Sequence, residues 1–327
     1  MLVRLPKSLP HPEAQPLHRG APRPMPHAFS LILGLASILL FWGPLQQLVS
    51  LSLNDQRYSH IILVPAIGAG LIFMERRKVF ARAAFAIAPG LFLLSGSLVL
   101  YWLTRHTAQV PETYTLSMAV LAILLVWASG FALCYGVEAL RAARFPLLFL
   151  LLLVPIPFEA MDKIVAVLQR GTAEATYTMF HLAGVPMFKD GVRFELPGIG
   201  IEVAAECSSI HSAWALFITG LLLAHWFLKS PWTKICLSIL TVPTAIFTNA
   251  VRIGTLWFLA TRVDPAFLFG NLHHRGGALF SLISLPILLG LLCSLRKLES
   301  HGSHRRKASE EDACLTAPGR GQTATFS

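Results

Sequence analysis

The chain has 327 residues, of which 54% are hydrophobic and only 13% are charged, and its mean hydropathy is +0.61. So little charge with so much apolar surface excludes an ordinary soluble domain and is typical of a protein that crosses a membrane several times. The net charge is +10. Because most of the basic residues lie in short loops between apolar segments, they indicate membrane topology and do not predict a nucleic-acid partner.

Both ends of the chain are polar and flank a long apolar middle. Residues 1–27 are rich in proline and basic residues and contain no apolar core, so we predict a disordered cytoplasmic N-tail and no cleaved signal peptide. Residues 297–327 predict a disordered cytoplasmic C-tail. Residues 28–296 then form a single transmembrane domain.

Eight segments of this domain are apolar enough to predict membrane spans, each of which needs about 20 mainly apolar residues. The segments cover residues 29–49, 60–74, 83–103, 115–135, 145–158, 210–228, 235–260 and 277–295. With the N-tail in the cytoplasm, eighteen of the 27 lysines and arginines lie in cytoplasmic segments and eight lie outside. Basic residues accumulate on the cytoplasmic side, so both termini are predicted to be cytoplasmic.

The one long loop joins the fifth and sixth spans and is predicted to lie on the outer face. Its first half, MDKIVAVLQRGTAEATYTMFHLAG, has an apolar face at helical spacing, which predicts an amphipathic helix at the interface. Turn signals at 189–191 and 197–198 in its second half predict a small β-hairpin. The predicted fold class is therefore an all-α polytopic membrane protein with these two additions.

Reactive side chains gather directly after this hairpin, in AAECSSIHSAWAL (residues 204–216). Cys207 is the only one of the five cysteines predicted to lie on the outer side. A lone thiol there is a liability unless it is used. No CxxC or CxxH spacing occurs, so no metal or other cofactor is predicted. Cys207 precedes a predicted helix, whose N-terminus favours a thiolate.

Two further groups complete a possible site near the outer ends of the last spans. Asn249 and Arg252 are one turn apart in the seventh span, and an arginine in the hydrocarbon costs about 3 kcal/mol. It is therefore expected to face a protein interior, with snorkelling to the interface as the alternative. His273 and His274 lie just outside the last span, where a solvated pair is the plainer interpretation. Thiol, imidazole and guanidinium together suit acyl transfer through a thioester.

These segments resemble the exosortase/archaeosortase family of membrane cysteine transpeptidases. The resemblance is carried by ECSSIHSAWALFITGLLLAHW, IFTNAVRIGTLW and LHHRGGALF, and by RYSHIILVPAIGAGLIFMERRK and RFPLLFLLLLVPIPFE upstream. It implies that Cys207 is the nucleophile, Arg252 the catalytic arginine and His273 the histidine, with His274 in reserve. A serine at position 209 stands where the family usually has glycine.

The resemblance also implies a function and partners. Such proteins act at the outer face of the bacterial inner membrane on exported proteins that carry a C-terminal sorting signal, namely a short motif, a hydrophobic helix and a basic end. Many accompany exopolysaccharide production. Tyr58 and His60 fit the family pattern and are candidates to line the cavity, and Glu206, Asn249 and His211 are further substrate-lining candidates.

The alternative is a non-enzymatic membrane protein, a transporter or assembly component for exopolysaccharide or a lipid-linked sugar, in which Arg252 grips a phosphate. Against it, the sequence contains no internal repeat and no matching pair of broken spans, and Arg252 is the only predicted intramembrane charge of its kind.

Overall fold

The computed structural model describes residues 25–81, 86–106, 111–196, 199–203, 210–264, 280 and 282–301. Most of both predicted tails lies outside these residues. The helices are α1 (Met25–Leu40), α2 (Trp42–Asn54), a 3₁₀ segment (Gln56–Ile62), α3 (Val64–Val79), α4 (Ile87–His106), α5 (Glu112–Ala142), α6 (Arg144–Phe149) with a 3₁₀ turn (Leu150–Leu153), α7 (Phe158–Leu182), α8 (Ile210–Phe227), α9 (Pro231–Arg262) and α10 (residues 282–301). The strands are β1 (Phe188–Asp190), β2 (Arg193–Leu196) and β3 (Ile199–Glu202).

The prediction of an all-α polytopic fold is confirmed, whereas the predicted count of eight spans is not confirmed by the described residues. Among the described residues, five helices are long and apolar enough to cross a membrane: Gln56–Val79, Ile87–His106, Glu112–Ala142, Ile210–Phe227 and Pro231–Arg262. Two bent pairs raise the number to seven if each is one span. They are Ser30–Leu40 with Trp42–Asn54, bent by 76°, and Arg144–Leu153 with Phe158–Leu182, bent by 95°.

The 95° bend follows from the sequence Pro155-Ile156-Pro157 between α6 and α7. Proline lacks an N–H and cannot continue a helical hydrogen-bond ladder, so the backbone carbonyls at the break need other donors. The Ser117 hydroxyl shares its proton between the Pro155 carbonyl at 2.6 Å and the Thr113 carbonyl of its own helix at 2.8 Å. The Tyr58 hydroxyl donates to the Ile156 carbonyl at 2.6 Å. The bonds to the Pro155 and Ile156 carbonyls connect the break to α5 and to the 3₁₀ segment.

Beyond the break, α7 is amphipathic as predicted, with one buried face. Its buried residues are Met161, Val165, Leu168, Thr172, Ala173, Thr176 and Phe180, which recur at helical spacing. This face packs against α9, and two glycines allow a close approach. A Cβ on Gly171 would lie 2.8 Å from Ile246 Cδ1, and one on Gly254 would lie 2.2 Å from Met179 Cε.

The predicted β-hairpin is present, and a third strand extends it. The order is β1-β2-β3 with antiparallel pairing, in which Lys189 lies opposite Phe194 and Arg193 lies opposite Glu202. The first turn uses Gly191 at φ 60°, a conformation that glycine adopts without a steric cost. Phe194 is buried with Ala173 and Phe180, so the sheet packs on the C-terminal half of α7.

Helices α3 and α8 are connected by contacts near both of their ends, the first of them through the 3₁₀ segment that precedes α3. At their N-terminal ends the His60 ring stacks on Trp214, with centroids 3.9 Å apart. Near their C-terminal ends His225 Nε2 lies 2.6 Å from Glu75 Oε1. Because a helix rises 1.5 Å per residue, the contacts at Trp214 and His225 on α8 are about 17 Å apart along its axis.

The hydrogen bond from Tyr58 makes a stability prediction. Replacing Tyr58, whose side chain is fully buried, with phenylalanine leaves the Ile156 carbonyl without this donor, which costs about 1–3 kcal/mol. We expect Tyr58→Phe to lower the midpoint of thermal unfolding in detergent. The exposed Tyr114 offers a matched control, and Tyr114→Phe should have the same unfolding midpoint as the wild type. Equal midpoints for Tyr58→Phe and wild type would contradict the assigned role.

Candidate active site

Five of the nine predicted site residues lie within the described structure. They are Tyr58, His60, His211, Asn249 and Arg252. The other four, Glu206, Cys207, His273 and His274, lie outside the described residues. The geometry of the site therefore comes from the elements that lead into and out of these positions.

The chain is held in place just before Cys207. Strand β3 ends at Glu202, and Val203 follows with only 1% of its surface exposed. The Val203 N–H donates to the Val192 carbonyl at 3.0 Å. Its own carbonyl accepts a hydrogen bond from Gln169 Nε2 on α7. Both backbone groups of Val203 are thus satisfied, four residues before the predicted nucleophile.

The chain is held again just after Cys207, where α8 begins at Ile210. Ile210 is buried in the main apolar cluster with Leu168 of α7 and Ile61 of the 3₁₀ segment. The N-terminus of α8 carries the positive end of a helix dipole, which favours an anion such as a thiolate.

The same face of α7 also holds the part of α9 that carries Arg252. Asn249 is buried, and its Nδ2 donates to Thr172 Oγ1 at 3.3 Å. Thr172 is three residues after Gln169 and therefore shares its face of α7. Arg252 follows Asn249 by one turn and is half-buried. Ile253 packs in the same apolar cluster as Val203.

The 3₁₀ segment contributes polar groups at the start of α8. Ser59 Oγ lies 2.6 Å from His211 Nδ1, and His60, which is 7% exposed, stacks on Trp214. His60 and His211 are thus brought together. Tyr58 is not brought to them, because its hydroxyl is bound to the Ile156 carbonyl. Its side chain is fully buried and connects the 3₁₀ segment to the break before α7.

A surface ion network fixes the 3₁₀ segment to α7. The Arg57 guanidinium contacts both Asp55 Oδ2 and Asp162 Oδ1 at 2.7 Å. Burial alone would raise the pKa of Asp55, but hydrogen bonds from the side chain and N–H of Arg57, with its charge, outweigh burial and lower the pKa below its ordinary value. Asp55 therefore stabilises the fold at neutral pH, and this contribution is lost as the pH falls through the lowered value.

Sequence reasoning did not identify Gln169 and Thr172, the two α7 residues that connect these parts. The sequence predicts only an apolar face for this helix, whereas the Gln169 side chain turns to the Val203 carbonyl. A usable signal was present, because Gln169, Thr172 and Thr176 recur at three- and four-residue spacing and thus follow one helical face. Polar side chains that follow one face of a helix indicate that neighbouring elements supply hydrogen-bond partners for them.

A comparison with protein families identifies the family of this chain. The model of the transmembrane exosortase family (Exosortase_EpsH) matches residues 52–290. The chain belongs to the exosortase family. The match begins in α2, continues through the 3₁₀ segment and the α7–α9 region, and ends in α10. No curated protein and no solved structure matches the chain. With its several apolar helices, this exosortase is a multi-pass membrane protein.

The bond between Gln169 and Val203 can be tested in the purified exosortase. Gln169→Leu keeps a similar volume but removes the donor to the Val203 carbonyl, which costs about 1–3 kcal/mol. We expect hydrogen exchange at residues 199–203 to accelerate roughly tenfold or more, as followed by mass spectrometry. The exposed Gln47 provides the control, and Gln47→Leu should leave exchange in this segment unchanged. Wild-type exchange in Gln169→Leu would rule out the proposed anchor.

Proposed function

We propose that this exosortase is a cysteine protease and transpeptidase that cleaves C-terminal sorting signals of exported, membrane-borne proteins at the outer face of the bacterial inner membrane. The processed proteins would belong to the surface of a cell that produces exopolysaccharide. The observation that carries the proposal is the shared attachment to α7, where Gln169 binds the backbone ahead of Cys207 and Thr172 binds the α9 turn that carries Arg252.

Covalent geometry limits how far Cys207 can lie from these attachments. Four residues separate it from Val203 and three from Ile210. At no more than about 3.6 Å per residue, those segments span at most about 14 Å and about 11 Å. Val203 and Ile253 share one cluster. This supports a site in which Cys207 and Arg252 act on the same substrate carbonyl.

The reaction follows from the chemistry of the three groups. His273, with His274 in reserve, takes the thiol proton of Cys207, and the thiolate attacks the carbonyl carbon of the scissile peptide. Arg252 stabilises the oxyanion that forms. The C–N bond then breaks, the leaving amine receives the proton from the imidazolium, and a thioester remains on Cys207. An acceptor nucleophile attacks the thioester and releases the thiol.

An apolar groove beside the start of α8 supports a substrate with a hydrophobic helix. It has a volume of about 370 Å³ and lies between α7, α8 and α9. Its lining is apolar except for Lys163 and Thr241, and it includes Ile164, Val167, Ile210, Ala213, Trp214, Phe217, Leu168 and Val242. Because Ile210 is three residues from Cys207, a helix in this groove would place its outer end near the thiol.

The distribution of basic residues along α3 and α8 supports the orientation. Both helices begin beside the His60–Trp214 contact. At its other end α3 carries Arg76, Arg77 and Lys78, and α8 is followed by Lys229. Positive charge thus collects about 20 Å from the candidate site along the helices, which is the pattern of a cytoplasmic surface. Both termini would then be cytoplasmic.

The catalytic assignment predicts the outcome of three substitutions. Cys207→Ala should abolish processing of a co-expressed reporter that ends in a hydrophobic helix and a basic tail, because no thioester can form. Arg252→Gln should slow processing by about 10²–10³-fold, the usual cost of losing an oxyanion donor. Arg262→Gln, at the exposed end of α9, is the matched control and should process normally. Processing is read as a mobility shift of the reporter, with insertion of each variant checked separately. Normal processing by Cys207→Ala would end the proposal.

The groove makes a separate prediction. Ala213→Trp places a large side chain in the groove, whereas Ala215→Trp places it on the exposed side of the same helix. If the groove holds the reporter helix, Ala213→Trp should raise the KM for the reporter about tenfold or more, equivalent to about 1.4 kcal/mol, and Ala215→Trp should not. Equal KM values for the two variants would show that the helix binds elsewhere.

A further inference from the structure

The hydrogen bonds of Ser59 determine the tautomer of His211. Ser59 Oγ lies 2.8 Å from the Gln56 carbonyl and 2.6 Å from His211 Nδ1. A carbonyl oxygen only accepts, so the single hydroxyl proton is donated to Gln56. The hydroxyl oxygen therefore accepts from the Nδ1–H of His211. In the neutral ring, Nε2 then carries the lone pair and is the basic nitrogen.

The surroundings hold this pair in a defined position. Ser59 belongs to the 3₁₀ segment, which is fixed by the Arg57–Asp162 ion pair and by the bond from Tyr58 to Ile156. His60, the next residue, stacks on Trp214, one turn after His211 on α8. The two elements thus meet at adjacent contacts. His211 itself is exposed, so its ring is oriented at one nitrogen and accessible at the other.

We propose that His211, positioned by Ser59, is the general base that activates the acceptor in the second half of the exosortase reaction. This inference rests on the proposed function. The thiol is part of the chain, whereas the acceptor must arrive from the outer solution or the headgroup layer. An exposed imidazole four residues after Cys207, within about 14 Å of it by chain length, is suited to meet that acceptor.

Nε2 of His211 takes a proton from the acceptor amine or water as the acceptor nitrogen or oxygen attacks the thioester carbonyl. The carbon–sulfur bond breaks, and the electron pair leaves on the sulfur of Cys207. The resulting imidazolium returns its proton to the thiolate, which restores the thiol and the neutral ring. No oxidant or cofactor takes part.

The experiment measures formation and breakdown of the thioester separately. Membranes with the exosortase and the reporter are sampled over time, and the Cys207-linked acyl-enzyme is detected by its sensitivity to hydroxylamine. In His211→Gln we expect the thioester to form at the wild-type rate and to persist about 10²-fold longer or more, since general-base catalysis contributes about 10²–10⁴-fold. Added hydroxylamine, which attacks without a general base, should shorten that lifetime to the value for treated wild type.

Variants of Ser59 test its positioning role. Ser59→Ala should lengthen the thioester lifetime without slowing thioester formation. Ser59→Thr keeps a hydroxyl and should have the wild-type thioester lifetime. His106→Gln, on an exposed histidine at the end of α4, is the matched control and should behave as wild type. These patterns separate orientation of the ring from a general loss of stability, which would slow both halves of the reaction.

Three outcomes would overturn the inference or its basis. A wild-type thioester lifetime in His211→Gln overturns the role of His211. The inference is also overturned if the wild type forms a thioester and His211→Gln does not. His211 would then act in formation of the thioester and not in its breakdown. Absence of a thioester in wild type, with the reporter still cleaved, would instead overturn the proposed function.

Discussion

The structure depends on how the backbone carbonyls at the Pro155–Pro157 break are satisfied. In an apolar environment an unpaired carbonyl is costly, so the bend between α6 and α7 exists only where donors from other elements reach it. Ser117 of α5 and Tyr58 of the 3₁₀ segment supply them. The bend turns α7 by 95°, and this direction allows its buried face to lie along α9 and beneath the small sheet.

Helix α7 then acts as the common support of the candidate site. Two neighbouring polar side chains on its inner face, Gln169 and Thr172, bind the strand that leads to Cys207 and the turn of α9 that carries Arg252. Hydrogen bonds in such surroundings are strong when made and costly when lost. The close approach of the two helices at Gly171 and Gly254 keeps these bonds in register.

The two ends of α8 illustrate a division of roles along one helix. Its first turn meets the 3₁₀ segment through His211 and Trp214, where polar groups remain accessible. Near its other end His225 is largely enclosed, with Glu75 on one side and the Phe145 ring stacked at 3.7 Å. The enclosed pair connects α8 to α3 and α6, whereas the open end presents His211 to the solution.

Much of this protein is determined by the sequence alone, because apolar segment length, the distribution of basic residues and the motifs around Cys207 and Arg252 are local properties of the chain. They suffice for the helical membrane fold, the amphipathic α7, the hairpin and the family. Only the tertiary structure decides that Tyr58 binds the carbonyl at a proline break, that Gln169 and Thr172 join the two halves of the candidate site, and that Ser59 contacts His211. Each of these depends on a hydrogen bond between residues far apart in the chain, and no local pattern specifies which distant group will supply the partner.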